Sequence, residues 1–289
     1  MKRLAPSLIT VLALAAPSLA GGLELEARDA VTVVGRRVEL SAKLTKRLGP
    51  LRPDQKGRTL EFQLGEAKAS GRTDSDGVGR ASLAPLTTGI VPFSVRVSDD
   101  PATQIKGRLW VLEAERPVVI CDIDGTLSNM GGLRVPVSGW RAPAFPGAPA
   151  LLRDLARTHA IVYLTARDQS FRAASRGFLR KHDFPLGPLL LNSWGLDKGS
   201  QREQLLPSRH GRFKLKVLER LKARGLKLVM GIGDKPGDAE AYEGAGIRSL
   251  IRSETAVGER SIVFPDYATL RKRLTAEGLV PPLTRKPPR

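Results

Sequence analysis

The sequence predicts two domains, an all-β sandwich followed by a doubly wound α/β domain on a parallel sheet. Three observations carry that expectation. Residues 22–115 fall into short alternating runs separated by turn-rich segments. From residue 116 the runs become uniformly apolar and alternate with longer helical stretches. The polar residues suited to catalysis stand just after those apolar runs, where a parallel sheet binds its ligands.

Taken in order, the chain opens with Lys2 and Arg3, an apolar stretch over Leu8–Ala16, and the small-x-small site Ser18-Leu19-Ala20. That is the pattern of a signal peptide over residues 1–20, too short to span a bilayer, with cleavage after Ala20. It predicts an exported protein, periplasmic or extracellular. The single cysteine, Cys121, excludes an internal disulfide. No later stretch is apolar enough for a transmembrane segment. The 289 residues carry a formal charge of +18, which favours phosphorylated or anionic-lipid partners. The Lys and Arg residues are scattered rather than interleaved with aromatics, so specific nucleic-acid binding is not expected.

Strands are expected at 30–34, 37–44, 59–64, 80–83, 91–97 and 108–112. This spacing suits an antiparallel sandwich. The stretch Gly71-Arg72-Thr73-Asp74-Ser75-Asp76-Gly77-Val78-Gly79, followed by the alternating run at 93–97, resembles bacterial immunoglobulin-like domains. Asp74 and Asp76 could begin a calcium loop, but the later ligands are missing and a solvated hairpin turn fits better.

In the second half, parallel strands are expected at 118–121, 161–164, 189–191 and 228–232, and helices at 150–157, 170–182, 215–224 and 239–245. The first strand runs into Asp122-Ile123-Asp124-Gly125-Thr126. One carboxylate there can attack phosphorus and the other can shuttle a proton. The second strand ends in Thr165-Ala166-Arg167, where the threonine hydroxyl can bond a phosphoryl oxygen or cap the next helix. Lys214, with Lys198 as its competitor, can balance the phosphate and the attacking carboxylate. The fourth strand ends in Gly233-Asp234-Lys235-Pro236-Gly237-Asp238, and such carboxylates suit a hard cation of the Mg²⁺ type. No His or Cys cluster offers a zinc site. Residues 278–289 read as a disordered basic tail.

These motifs in this order resemble the four motifs of the haloacid dehalogenase superfamily, over about residues 116–277. The resemblance implies Asp122 as nucleophile and Asp124 as acid and base. It implies Thr126, Thr165, Ala166 and Lys214 around the substrate phosphate. Mg²⁺ would be held by Asp122, Asp234 and the Asp124 backbone carbonyl, and Asp238 would complete the metal shell or orient Lys214. Tyr163-Leu164-Thr165-Ala166-Arg167, the run Phe184–Leu191, Phe213-Lys214 and Ala241-Tyr242 further resemble the catalytic domain of lipins, the phosphatidate phosphatases, and of the actin-patch phosphatidate phosphatases. Lipins usually have Asn at the position of Asp234. They also pair this domain with an immunoglobulin-like fold. About forty residues separate Asp122 from Thr165, too few for a globular cap, so an open, capless site is expected. Three activities stay open: a lipid phosphate phosphatase, a broad-specificity secreted acid phosphatase on soluble esters, and a non-catalytic lipid-binding module. The intact Asp122 and Asp124 argue against the last.

Overall fold

The structure, a computed structural model, describes residues 22–129, 142–192 and 207–282. The expected signal peptide, Lys198 and most of the basic tail lie outside the described residues. Among those described, no helix is long and apolar enough to cross a membrane.

Eight strands come first: β1 (Leu23–Ala27), β2 (Ala30–Val33), β3 (Val38–Lys46), β4 (Thr59–Leu64), β5 (Ala67–Arg72), β6 (Val78–Leu83), β7 (Gly89–Val97) and β8 (Asp100–Leu112). They form two sheets, β1-β3-β6 and β2-β8-β7-β4-β5. Alternation decides which side chains meet between them. In β3, Val38, Leu40, Ala42 and Leu44 are buried while their neighbours are not. They share one core with Leu60 and Phe62 of β4, Phe93, Val95 and Val97 of β7, and Leu109 of β8. Every pairing is antiparallel except β2 with β8, which is parallel. The expectation of a purely antiparallel sandwich is corrected at that edge. After pairing with β3 through β1, the chain bends at Arg28-Asp29 and crosses to the other sheet without reversing.

The second half holds β9 (Pro117–Cys121), α1 (Ala148–Leu155), β10 (Ala160–Asp168), α2 (Arg172–Lys181), β11 (Leu189–Asn192), α3 (Pro207–Ala223), β12 (Lys227–Gly233), α4 (Pro236–Gly244), β13 (Arg248–Arg252), β14 (Ile262–Phe264) and α5 (Tyr267–Ala276). Six parallel strands run in the order β11-β10-β9-β12-β13-β14. Both faces of the sheet are covered, which is why its central strands lack alternation. Val119 and Cys121 of β9 face α1 and α5, through Leu151, Leu155 and Leu270. Val118 and Ile120 face α3 and α4, through Val217, Leu218 and Tyr242. Val31, Val33 and Trp110 of the sandwich belong to that second cluster, so β2 and β8 cover part of the parallel sheet.

Polar contacts close the same junction. Asp29, almost fully buried, pairs with Arg176, reaches Arg172 at 3.2 Å and accepts the Leu189 N–H at 2.9 Å. The guanidinium of Arg176 also lies over the Trp110 ring, 5.4 Å from its centroid. Strand order reverses between β9 and β12. In a doubly wound sheet the crevice beyond that reversal is the ligand site.

Candidate active site

Two strand ends build the crevice. β9 ends at Cys121 and delivers Asp122, whose N–H bonds the Ile232 carbonyl of β12 at 3.0 Å. β12 ends at Gly233 and delivers Asp234. The turn between Asp124 and Ser128 folds tightly because Gly125 adopts φ +77°, open to glycine at little cost. A Cβ at Gly125 would also sit 2.1 Å from Oδ2 of Asp234. The missing side chain is therefore what lets the two carboxylate loops meet.

Asp122, Asp234 and Asp238 bring one carboxylate oxygen each within 4.8 Å of the others. Lys214 is the counter-ion. It lies inside α3, which begins at Pro207 rather than near residue 215 as the sequence suggested. Its Nζ donates to Oδ1 of Asp122 at 2.7 Å and makes a close contact with Oδ1 of Asp238. Oδ2 of Asp238 accepts the N–H groups of Asp234 and Lys235, each at 3.1 Å. Both oxygens of Asp238 are thus engaged, one by the ammonium and one by the α4 amino end.

Two carboxylates bond one ammonium with a third beside them in a mostly buried place, and this shifts their ionisation. Burial pushes Asp122 up to about 7; the Lys214 ammonium opposes this, while Asp238, Asp234 and Asp124 add to it. Burial likewise pushes Asp234 up to about 6. Burial works against charge on Asp238 too, but the Lys214 ammonium outweighs it and holds that carboxyl below its usual range. Lys214 is held above its usual range against its own burial by Asp122 and Asp238. An oxygen-only donor set with this surplus of negative charge fits a hard divalent cation.

Asp124 points elsewhere. Its two oxygens are gripped by Arg167, Nε to Oδ2 at 2.6 Å and Nη2 to Oδ1 at 2.5 Å, and Oδ2 lies 3.4 Å from the Thr165 hydroxyl. The third arm of Arg167, Nη1, bonds Ser175 of α2 at 2.8 Å. Sequence reasoning gave Arg167 no role. The available signal was a cation two residues past Thr165, at the end of the strand beside the Asp-x-Asp strand.

The remaining expected residues separate. Thr165 is buried at the site beside Asp124, and Ala166 follows it, half-buried, at the same strand end. Thr126 is fully buried, and its hydroxyl lies 3.2 Å from Asp122 Oδ2 and 3.0 Å from Asp234 Oδ1. It ties the two carboxylates together instead of standing open to a phosphoryl oxygen. Two framing groups had no sequence signal. Arg252, at the end of β13, donates Nε to the Gly125 carbonyl at 2.8 Å and stacks 4.0 Å over the Phe145 ring centroid. Tyr267 donates its hydroxyl to the Thr126 carbonyl at 2.9 Å.

An Asp-x-Asp pair at the end of the central strand, a lysine from a later helix and a second acidic loop across the switch point define a domain of the haloacid dehalogenase type. The family model described as LNS2 (Lipin/Ned1/Smp2) matches residues 74–253, most of the chain. The chain belongs to that family. The match crosses the junction between the sandwich and the α/β domain. Phosphatidate phosphatase LPIN3 of Homo sapiens is 26% identical over 238 residues, covering 76% of this chain. The chain spans about a quarter of that relative's length, 27%. Similar solved structures include the D,D-heptose 1.7-bisphosphate phosphatase of B. bronchiseptica, complexed with magnesium and phosphate, at 17% identity and TM-score 0.43. It is covered over 99% of its length by 56% of this chain. Another is the class C acid phosphatase of Bacillus anthracis, at 18% identity and TM-score 0.31, covering 42% of this chain and 53% of its own.

Proposed function

We propose that this chain is a Mg²⁺-dependent phosphomonoester hydrolase acting on a lipid phosphate of the phosphatidate kind. The observation that carries the catalytic reading is the Lys214 bridge, with Asp122 and Asp238 on one ammonium opposite Asp234. It gives a nucleophile, its counter-ion and an acidic cation seat within one crevice.

Asp122 attacks phosphorus, and the bond from phosphorus to the ester oxygen breaks. The departing alkoxide takes a proton from Asp124. Water then attacks the aspartyl-phosphate while Asp124 takes the water proton, releasing inorganic phosphate and restoring Asp122. Both Asp124 oxygens bond Arg167, so proton transfer requires one arm of that fork to be exchanged. Lys214 balances charge on the transferring group, with Thr165 beside it. Asp122 and Asp234 would hold Mg²⁺, and Asp238 would orient Lys214, since its oxygens are already engaged. When bound, Mg²⁺ offsets the buried carboxylates and draws charge from the phosphoryl oxygens.

The lipid reading rests on family membership, on the relative's name and on the short chain length available for a cap domain after the Asp-x-Asp loop. Ser128 pairs with Ala144 across a bridge, and the Asn129 N–H bonds the Pro143 carbonyl at 3.0 Å. Only about a dozen residues separate those anchors, far fewer than the roughly 50 of a small domain. A site without a cap domain at that connection can accept a headgroup still seated in a bilayer. The sandwich order, β1-β3-β6 against β2-β8-β7-β4-β5, supports an immunoglobulin-like domain over residues 22–115. The amino-terminal pattern supports export.

The test is phosphate release from phosphatidate in vesicles beside glycerol phosphate and a nucleoside monophosphate. A higher kcat/KM on the vesicles is expected. A clear preference for a soluble ester would favour the acid-phosphatase reading on the same scaffold. EDTA dialysis should abolish turnover and added Mg²⁺ restore it; undiminished activity without metal would defeat the cation assignment.

A further inference from the structure

We propose that the β3–β4 loop, residues 47–52, is a membrane-contact tip that seats the active site on an anionic lipid surface. The proposal rests on the lipid reading above and gives the sandwich its part in it. Two contacts and one shared cavity, on β1 and just after it, show where the tip points. Asp29 meets Leu189, the first residue of β11. Glu26 pairs with Arg172 at 3.0 Å, beyond the end of β10. Glu24 and Arg52 line one cavity of about 650 Å³ with Asp168, Gln169 and Ser170, the loop that follows Thr165 and Arg167. From Asp29 back to Glu24 the sandwich edge therefore climbs past the carboxyl ends of the parallel strands. Leu23 pairs with Lys46, and the tip lies one step further on the same side as the crevice.

The tip has the chemistry of an interfacial element. Leu48 is 42% exposed and Leu51 66% exposed, unlike the buried leucines that precede them on β3. The N–H of each bonds the carbonyl of the other at 3.0 Å across Gly49-Pro50, so the apolar pair is held projecting before any surface is met. That lowers the cost of ordering on binding. Lys43, Lys46, Arg47, Arg52 and Lys56 lie in and beside the loop; Asp54 pairs with Lys43 and Glu24 with both arginines, so the segment keeps a net positive charge. Apolar side chains beside cations fit a bilayer with anionic headgroups. Leu86 is more exposed, at 88%, but sits at the opposite end of the sandwich, where Pro85 bonds Gly35. It is the natural control.

The experiment is sedimentation of the full chain with phosphatidylcholine vesicles, with and without phosphatidylserine, a lipid that is not a phosphomonoester. Hydrolysis of p-nitrophenyl phosphate is followed in parallel. L48S/L51S should lower binding to the anionic vesicles by roughly tenfold per leucine removed, with hydrolysis of the soluble ester unchanged. R47Q should weaken binding to the anionic vesicles alone, and L86S should change nothing. Vesicle binding untouched by L48S/L51S, lowered equally by L86S, or absent in the parent chain would overturn the tip. Tip-dependent binding by a chain that hydrolyses no phosphomonoester would support the tip while defeating the catalytic reading.

Discussion

The chain contains the pattern Asp-x-Asp-Gly twice, as Asp74-Ser75-Asp76-Gly77 in the sandwich and Asp122-Ile123-Asp124-Gly125 in the α/β domain. Both glycines are left-handed, at φ +69° and +77°. Yet the two first aspartates have opposite fates. Asp74 sits in a turn and spends its oxygens locally, accepting the N–H groups of Asp76 and Val78 at 2.9 Å and Arg80 at 2.6 Å. Asp122 ends a strand buried on both faces, where burial pushes its carboxyl up to about 7. Local sequence makes the turn in both places; the element before it decides whether the carboxylate is free to react. The turn expected at Asp74 is present, and its oxygens accept from groups within that turn and from Arg80.

The largest effect expected separates the two tetrads directly. Asp122→Asn should lower turnover by at least roughly a thousandfold, as loss of a nucleophile does, while Asp74→Asn leaves turnover unchanged. Circular dichroism should show both variants folded. Near-normal turnover in a folded Asp122→Asn variant would remove the nucleophile assignment.

Arg167 sharpens the contrast within the second tetrad, since it grips Asp124 and not Asp122. Arg167→Lys keeps the charge but not the two-armed grip on both oxygens. A fall in kcat of about a hundredfold is expected, within the range for a misplaced acid–base group. The pH–rate profile should move with it. A change confined to KM, with the profile fixed, would make Arg167 a substrate contact instead.

A third aspartate joins the two regions. Asp29→Ala would leave Arg172 and Arg176 facing a buried gap beside the Trp110 ring. Breaking a buried pair in this way costs about 3–5 kcal/mol. Chemical denaturation should show that loss. An unchanged midpoint would mean that the apolar contacts of Val31, Val33 and Trp110 hold the junction unaided.

That junction was the least legible part of the chain. The central strands and the carboxylates after them could be read locally, because uniform burial and a following Asp are adjacent in sequence. Val31, Val33 and Trp110 read as ordinary sandwich residues, and nothing nearby says that they face a different domain. β1 was missed because its five residues are all half-buried, and β5 because it is an exposed edge. β13 and β14 were missed because strands of five and three residues leave only a few apolar positions to count, and α5 because its apolar positions are spread among charged and polar ones. Lys214 was found, but the start of its helix was placed too late, since the first turn has no apolar stripe to mark it.

The smallest effect tests the first tetrad on its own terms. Partial burial works against charge on Asp74, but Arg80 and the N–H groups of Val78 and Asp76 outweigh it and hold the carboxyl below its usual range. A carboxyl depressed in the folded state binds its proton later than in the unfolded chain. Its stabilisation is therefore complete above the unfolded value of about 3.9 and is lost as pH falls through the lower folded value. Asp74→Asn should lower the denaturation midpoint slightly at pH 7, by less than the Asp29 variant, because Asp74 is partly open to solvent and Arg80 is screened. The gap between parent and variant should then close below about pH 4, as the parent's own carboxyl is neutralised. A gap that stays constant into acid would assign the effect to the shape of the turn. A gap that widens would mean that the carboxyl is raised rather than depressed, which would place Asp74 in the same electrostatic class as Asp122.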